Sequence, residues 1–138
     1  MANRPFAPRY PRGCSEEVIH MDATVRAALQ ADRVVDITTR GRSSGEPRRI
    51  EIWAHLVGDR IFITGRPGKR SWYANMRAHP EVTLHVKRGA TADIEARARP
   101  ILDAAERREV LAPIVAGIDG AALDAWVEGA PLVELVEA

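Results

Sequence analysis

The stretch DITTRGRSSGEPRRI (residues 36–50) places four arginines, Arg40, Arg42, Arg48 and Arg49, around Gly41, Ser43, Ser44 and Gly45. Glycine and serine serve the geometry of a turn, but four guanidiniums do not. Their fixed forks of N–H donors suit carboxylates and phosphates, so the chemistry they could do is anion binding. Exposed arginines also keep a hairpin edge from pairing, and this loop alone does not choose between the two readings. A second basic run, GRPGKRSW (residues 65–72), favours the ligand: Arg66, Lys69 and Arg70 stand just before a helix that opens at Ser71. A helix N-terminus presents unpaired N–H groups and the positive end of its dipole, which makes a phosphate cradle plausible there.

Other chemistries lack a pattern. There is no GxGxxG, Walker loop, GxSxG or HExxH. His20, His55, His79 and His85 share no ligand spacing, so no metal is expected. Trp53, Trp72 and Tyr73 read as core or groove aromatics, and no Ser-His-Asp set can be assembled from spacing alone. A basic patch with aromatics also suits nucleic acid, but a net charge of +1 and 5% aromatics give that little support.

These residues need elements to hold them. Residues 15–31 (SEEVIHMDATVRAALQA) have a cap candidate in Ser15 and helical spacing of Val18, Met21, Val25 and Leu29. Val34, Val35, Ile37, Thr38 and Thr39 are β-branched and predict a strand. RRIEIWAHLV (residues 48–57) alternates, with Ile50, Ile52, Ala54 and Leu56 on one face. Gly58 and Asp59 turn it into RIFITG. A short helix capped by Ser71 comes next, then a second hairpin around Gly89. Asp103 and Glu106 open a helix that Pro113 should kink or break; residues 121–127 form another helix, and PLVELV a last strand. About six antiparallel strands with flanking helices predict a mainly β (α+β) fold closing into a small barrel.

At 138 residues, 46% hydrophobic and 28% charged, the chain reads as one globular domain, residues 15–138, behind a flexible, proline-rich basic arm, residues 1–14. The single cysteine, Cys14, allows no internal disulfide and fits a cytoplasmic location; no run is long and apolar enough to span a bilayer. Residues 37–80 carry nine basic groups against three acids, and residues 103–138 carry eight acids against two bases. A localised positive surface is the expectation.

TTRGRSSGEPRR resembles the TTxGRxSGxxR opening of the deazaflavin-dependent nitroreductase family, in the flavin-reductase-like (PNP-oxidase-like) split β-barrel superfamily. RPGKRSWYANMRAHPEVTLHV is similar to that family's WYxNLxAxPxVxV signature, and the likeness covers residues 34–100. The resemblance implies a split β-barrel that binds coenzyme F-420, a deazaflavin with a phosphodiester and oligoglutamate tail. It places Arg42, Ser43, Ser44 and Arg48 on the first motif and Lys69, Trp72 and Asn75 on the second, with Arg70 beside Lys69. Arg48, Lys69 and Arg70 are expected at the tail, and Ile52 and Trp53 at the ring. The implied activity is hydride transfer from reduced deazaflavin to a small electron-poor acceptor such as a quinone, an enone or a nitroaromatic. Two alternatives stay open: an FMN-binding split barrel, and a non-catalytic barrel that carries a cofactor or another anionic ligand. A homodimer is expected, since split barrels commonly pair. The chain departs from relatives at Glu51, where they often carry Pro, and near Trp126, Glu128 and Gly129, where they place tyrosines.

Overall fold

The β-branched run ahead of the arginine loop forms strand β1 (Val34–Arg40) in the computed structural model, which describes residues 18–138. The expected arm, residues 1–14, and the expected cap Ser15 lie outside those residues. Then come β2 (Pro47–Val57), β3 (Arg60–Thr64), α2 (Ser71–Ala78), β4 (Glu81–Val86), β5 (Ala92–Pro100), α3 (Ala104–Ala116), α4 (Leu123–Gly129) and β6 (Leu132–Glu137), with α1 (Ala23–Ala31) at the front. The strands close as β1-β2-β3-β6-β5-β4, every neighbouring pair antiparallel, with β1 returning to β4. The expected barrel of about six strands is what the sequence makes.

Alternation decides what fills the barrel. Successive strand residues point to opposite faces, so Val35 and Ile37 of β1 turn inward beside Ile61, Ile63, Leu84, Val133 and Leu135. Val25, Ala28 and Leu29 of α1 and Trp72 and Met76 of α2 join the same cluster. Outside the barrel, Phe62 and Leu132 meet Val110, Leu111 and Ile114 of α3 and Trp126 of α4 in a second apolar cluster. The protein thus has an inner core and an outer one.

Three local expectations are corrected. Helix α1 begins at Ala23, capped by the Asp22 carboxylate accepting from Val25 N at 2.8 Å. Residues 18–22 are not helical; Val18 makes a β-bridge to Val136, so sheet pairing overrides the helical spacing read there. At α2 the cap position belongs to Arg70, with no side-chain cap bond, and Ser71 is the first helical residue. Pro113 does not break α3, which runs on to Ala116: so close to the C-terminal end, the lost N–H disturbs only the final turn.

Strand β2 carries the arginines to an open end of the barrel. Only residues 54–57 pair with β3, whereas residues 47–53 pair with β1 alone. Half of β2 therefore projects past its second neighbour, carrying Arg48, Arg49 and Ile50 away from the packed interior. The hairpin joining it to β1 is closed by Gly41 N and Gly45 N, donating at 2.8 Å to Glu46 O and Gly41 O respectively. Gly45 has φ 71°, a conformation that disfavours side chains. At Gly41 an added Cβ would lie 2.6 Å from Ser44 Oγ.

Candidate functional site

Between this hairpin and the start of α2 lies a cavity of about 530 Å³. Its wall brings both basic motifs' neighbourhoods together: Arg42, Ser43, Ser44 and Arg48 from the hairpin, and Trp72 and Asn75 from α2. These are six of the ten residues picked from the sequence. Thr39, Gly41, Ile50 and Ser71 complete the wall. Thr39 and Ile50 were legible in principle, because each shares the inward parity of its strand at the end where the interior opens.

The other four fall elsewhere. Lys69 and Arg70 precede α2 and stay outside the wall. Arg70 folds over its own loop, with Nη1 donating to Lys69 O at 3.0 Å and its guanidinium against Gly68. Ile52 is half-buried on the inner core. Trp53, adjacent on the strand, points the opposite way: it stands 51% exposed with the Arg33 guanidinium 5.7 Å above its ring, beside a separate cavity. Neighbouring strand residues point to opposite faces, so Ile52 and Trp53 do not share one surface. Glu51 also points outward, to Lys87 Nζ at 2.6 Å, so no acid intrudes on the cavity from that position. Trp126 is buried in the outer core.

The four loop arginines divide. Arg49 leaves the cavity and pairs with Asp36 at 3.0 Å; Asp36 also accepts from Lys87, and these bonds, Lys87 first, hold its carboxyl below the usual range. Arg40 donates to Gly45 O at 2.8 Å and braces the turn. Arg42 and Arg48 face the cavity, whose described lining residues include no carboxylate. The N-terminus of α2 adds to them: its first turn has no capping side chain, and Ser71 and Trp72 stand in the wall. Two guanidiniums and an uncapped helix start make the wall electropositive.

Asn75 joins the two motifs. It is 5% exposed, and its Oδ1 accepts from Arg42 N at 3.0 Å and from Arg42 Nη1 at 2.9 Å. Its Nδ2 donates to Thr39 Oγ1 at 3.4 Å. Farther along, Gly68 N donates to Gly129 O at 3.2 Å, seating the second basic loop on the end of α4. Arg107, 7% exposed, secures that end by donating to the carbonyls of Trp126, Val127 and Ala130, and to that of Ile101. Burial lowers its pKa from the ordinary arginine value.

Two further polar groups lie apart from the cavity. Across the outer face of β1, β4 and β5, Thr38 Oγ1 meets His85 Nε2 at 2.8 Å and His85 Nδ1 meets Asp93 Oδ1 at 2.7 Å. The chain looks like a nucleophile with its base, yet Thr38 lies mid-strand between two paired neighbours. Both neighbouring strands pair with β1 at Thr38, and the three side chains link β1, β4 and β5 as a cross-strand bolt. Under α3, Glu134 is fully buried and receives Arg60 at 2.9 and 3.0 Å and Arg99 at 2.9 Å; Arg99 also reaches Glu106 at 2.6 Å. Opposite charges from distant parts of the sequence thus meet, which the charge segregation along the chain did not reveal.

The sequence profile of the F420H(2)-dependent quinone reductase family matches residues 12–120. No curated protein sequence gives a significant match. Among solved structures, a conserved hypothetical protein of Mycobacterium tuberculosis is 16% identical, with 88% of this chain and 82% of that chain covered and a TM-score of 0.67. A FAD-binding protein of Mesorhizobium loti is 17% identical over 91% of this chain and 94% of that one, with a TM-score of 0.58. An F420-H2 dependent reductase is 20% identical over 76% of this chain and 94% of that one, at a TM-score of 0.56. At these identities the structures speak for the split-barrel fold.

Proposed function

Because the chain belongs to the F420H(2)-dependent quinone reductase family, and is thereby an F-420-dependent oxidoreductase, we propose that the cavity between the arginine hairpin and α2 holds that cofactor. The observation that carries the reading is a cavity wall with two guanidiniums, an uncapped helix start and no described carboxylate. A tail rich in phosphate and carboxylate oxygens fits such a wall. Arg42 and Arg48 bind it, with the Ser43 hydroxyl and the first N–H groups of α2 as further donors. Ile50, 37% exposed, and the indole of Trp72 supply apolar surface for a planar ring. Lys69 and Arg66, on the exposed loop before α2, raise the local positive potential and steer the anion inward.

Reduced deazaflavin supplies the hydride when bound. The residues of this chain bind and orient the reacting partners, and they stabilise charge that develops on the acceptor. The described wall offers hydroxyls and guanidiniums but no carboxylic acid, imidazole or phenol. Such a site favours acceptors that accommodate negative charge: quinones, enones and nitroaromatics. We assign that class as substrate.

The test is a calorimetric titration of the purified protein with F-420 and with a tail-free deazaflavin. Tight binding of F-420 and much weaker binding of the tail-free compound support the reading; equal affinities sink it. No helix among the described residues is long and apolar enough to cross a membrane. We also propose a homodimer, supported by the half-exposed Trp53, which lines a surface cavity with the exposed Ala31 at the end of α1. Light scattering that finds a single 15.2 kDa species at every concentration rules it out.

A further inference from the structure

We infer that Asn75 is a positioning residue that holds the Arg42 guanidinium with one edge turned to the ligand, an assignment that rests on the cavity being the cofactor's anion site. The geometry is specific. Asn75 is nine-tenths buried and fixed on α2, and its amide oxygen accepts from two donors of the same residue, the backbone N and Nη1 of Arg42. Those two bonds tie down the start of the hairpin turn and one corner of the guanidinium. Nη1 is the nitrogen on the Cδ side of the fork. With it held, Nε and Nη2 remain, and they form the side-on edge that grips a carboxylate or phosphate through two parallel bonds. Neither atom hydrogen-bonds to a described residue.

Asn75 suits the task for a chemical reason. An aspartate in its place would accept the same two bonds but cancel the charge that draws the anion. An amide orients without neutralising, so Arg42 keeps its full charge toward the cavity. Asn75 is itself steadied, since Nδ2 donates to Thr39 Oγ1 at 3.4 Å at the buried end of β1. The order of the two motifs then makes physical sense: the second motif supplies the clamp that sets the geometry of the first. Without the clamp, Arg42 samples many rotamers, and the ligand must order it on binding.

The experiment is a double-mutant cycle on the full chain, read by calorimetric affinity for F-420 and for the tail-free deazaflavin. Thermal melts of the unliganded proteins check folding. Asn75→Ala should weaken F-420 binding about tenfold, the loss of one charged hydrogen-bond arrangement. It should leave the tail-free compound's affinity unchanged. Arg42→Ala should weaken F-420 at least as much, and adding Asn75→Ala to Arg42→Ala should produce no further loss, because the clamp then has nothing to hold. If Asn75→Ala fails to fold, Thr39→Val removes the clamp's own anchor at nearly constant side-chain volume and should give a smaller, tail-selective loss. Additive losses, or equal losses for both ligands, overturn the inference. If Arg42→Ala weakens F-420 while Asn75→Ala does not, the positioning role fails and the anion site stands. If Arg42→Ala leaves F-420 affinity intact, the anion site and the positioning role fail together.

Discussion

Arg60 and Arg42 are each held by a fixed oxygen within 3 Å, but the oxygens differ in kind. Arg60 is 3% exposed and meets the carboxylate of Glu134, which is fully buried; Arg99 and Glu106 complete a cluster whose charges largely cancel. Arg42 meets the amide oxygen of Asn75, which cancels nothing. One region uses arginine as structure and consumes its charge. The other fixes an arginine while leaving its charge available. Position along the chain gives no hint of this difference; the partner across the fold decides it.

The contrast breaks most visibly at Glu134. Glu134→Gln leaves two buried guanidiniums with Glu106 as their shared counter-charge and should destabilise the fold by about 3–5 kcal/mol in urea unfolding, while folded protein keeps its F-420 affinity. A loss under about 1 kcal/mol would mean the cluster is not the compensated region described. Next comes His55, a buried base on the outer face of β2. Burial first, and the Arg33 charge second, lower its pKa from 6.5 to about 4. The unfolded chain therefore binds a proton that the folded one refuses between those values, and stability falls as pH drops from 6.5 toward 4. The loss should reach about 2–3 kcal/mol and be absent in His55→Leu, as acid titration of both proteins would report.

Arg48→Ala probes the uncompensated region. F-420 affinity should fall about tenfold, with a flatter salt dependence, and stability should move by less than about 0.5 kcal/mol. A large stability change instead would place Arg48 with Arg60 in kind. The smallest effect is expected at Asp22, remote from both regions. Asp22→Ala removes the cap of α1 and should cost about 1 kcal/mol in denaturant unfolding without touching ligand affinity.

Much of the fold was legible because it rests on local rules. The alternation in residues 48–57, the glycines of the turns and the Asp103 cap all act within a few residues, and the last accepts from Glu106 N at 2.9 Å as its spacing implied. The arginine hairpin stood out for the same local reason, since four guanidiniums exceed what a turn requires, but two of them, Arg40 and Arg49, have structural partners that local spacing does not show. What distance along the chain hides was not legible. Glu134 sits in PLVELV, which reads as an apolar strand, and its partner Arg60 is 74 residues away. Ser15 and Asp22 are equally good caps on paper; pairing of Val18 with Val136 favours the later start. Trp53 shows a different tension between local rule and family likeness. Strand parity already set it opposite Ile52, and the likeness to a family drew both toward one ring against that rule.

The projecting half of β2 gives the molecule a degree of evolutionary freedom. Residues 47–51 have a neighbouring strand on one side only and belong to neither apolar cluster, so exchanges there need not repack β3 or either core. The depth and charge of the cavity can therefore drift while the barrel stays constant. A lineage of such proteins could change the ligands it accepts through this one cantilevered hairpin, at little expense in folding.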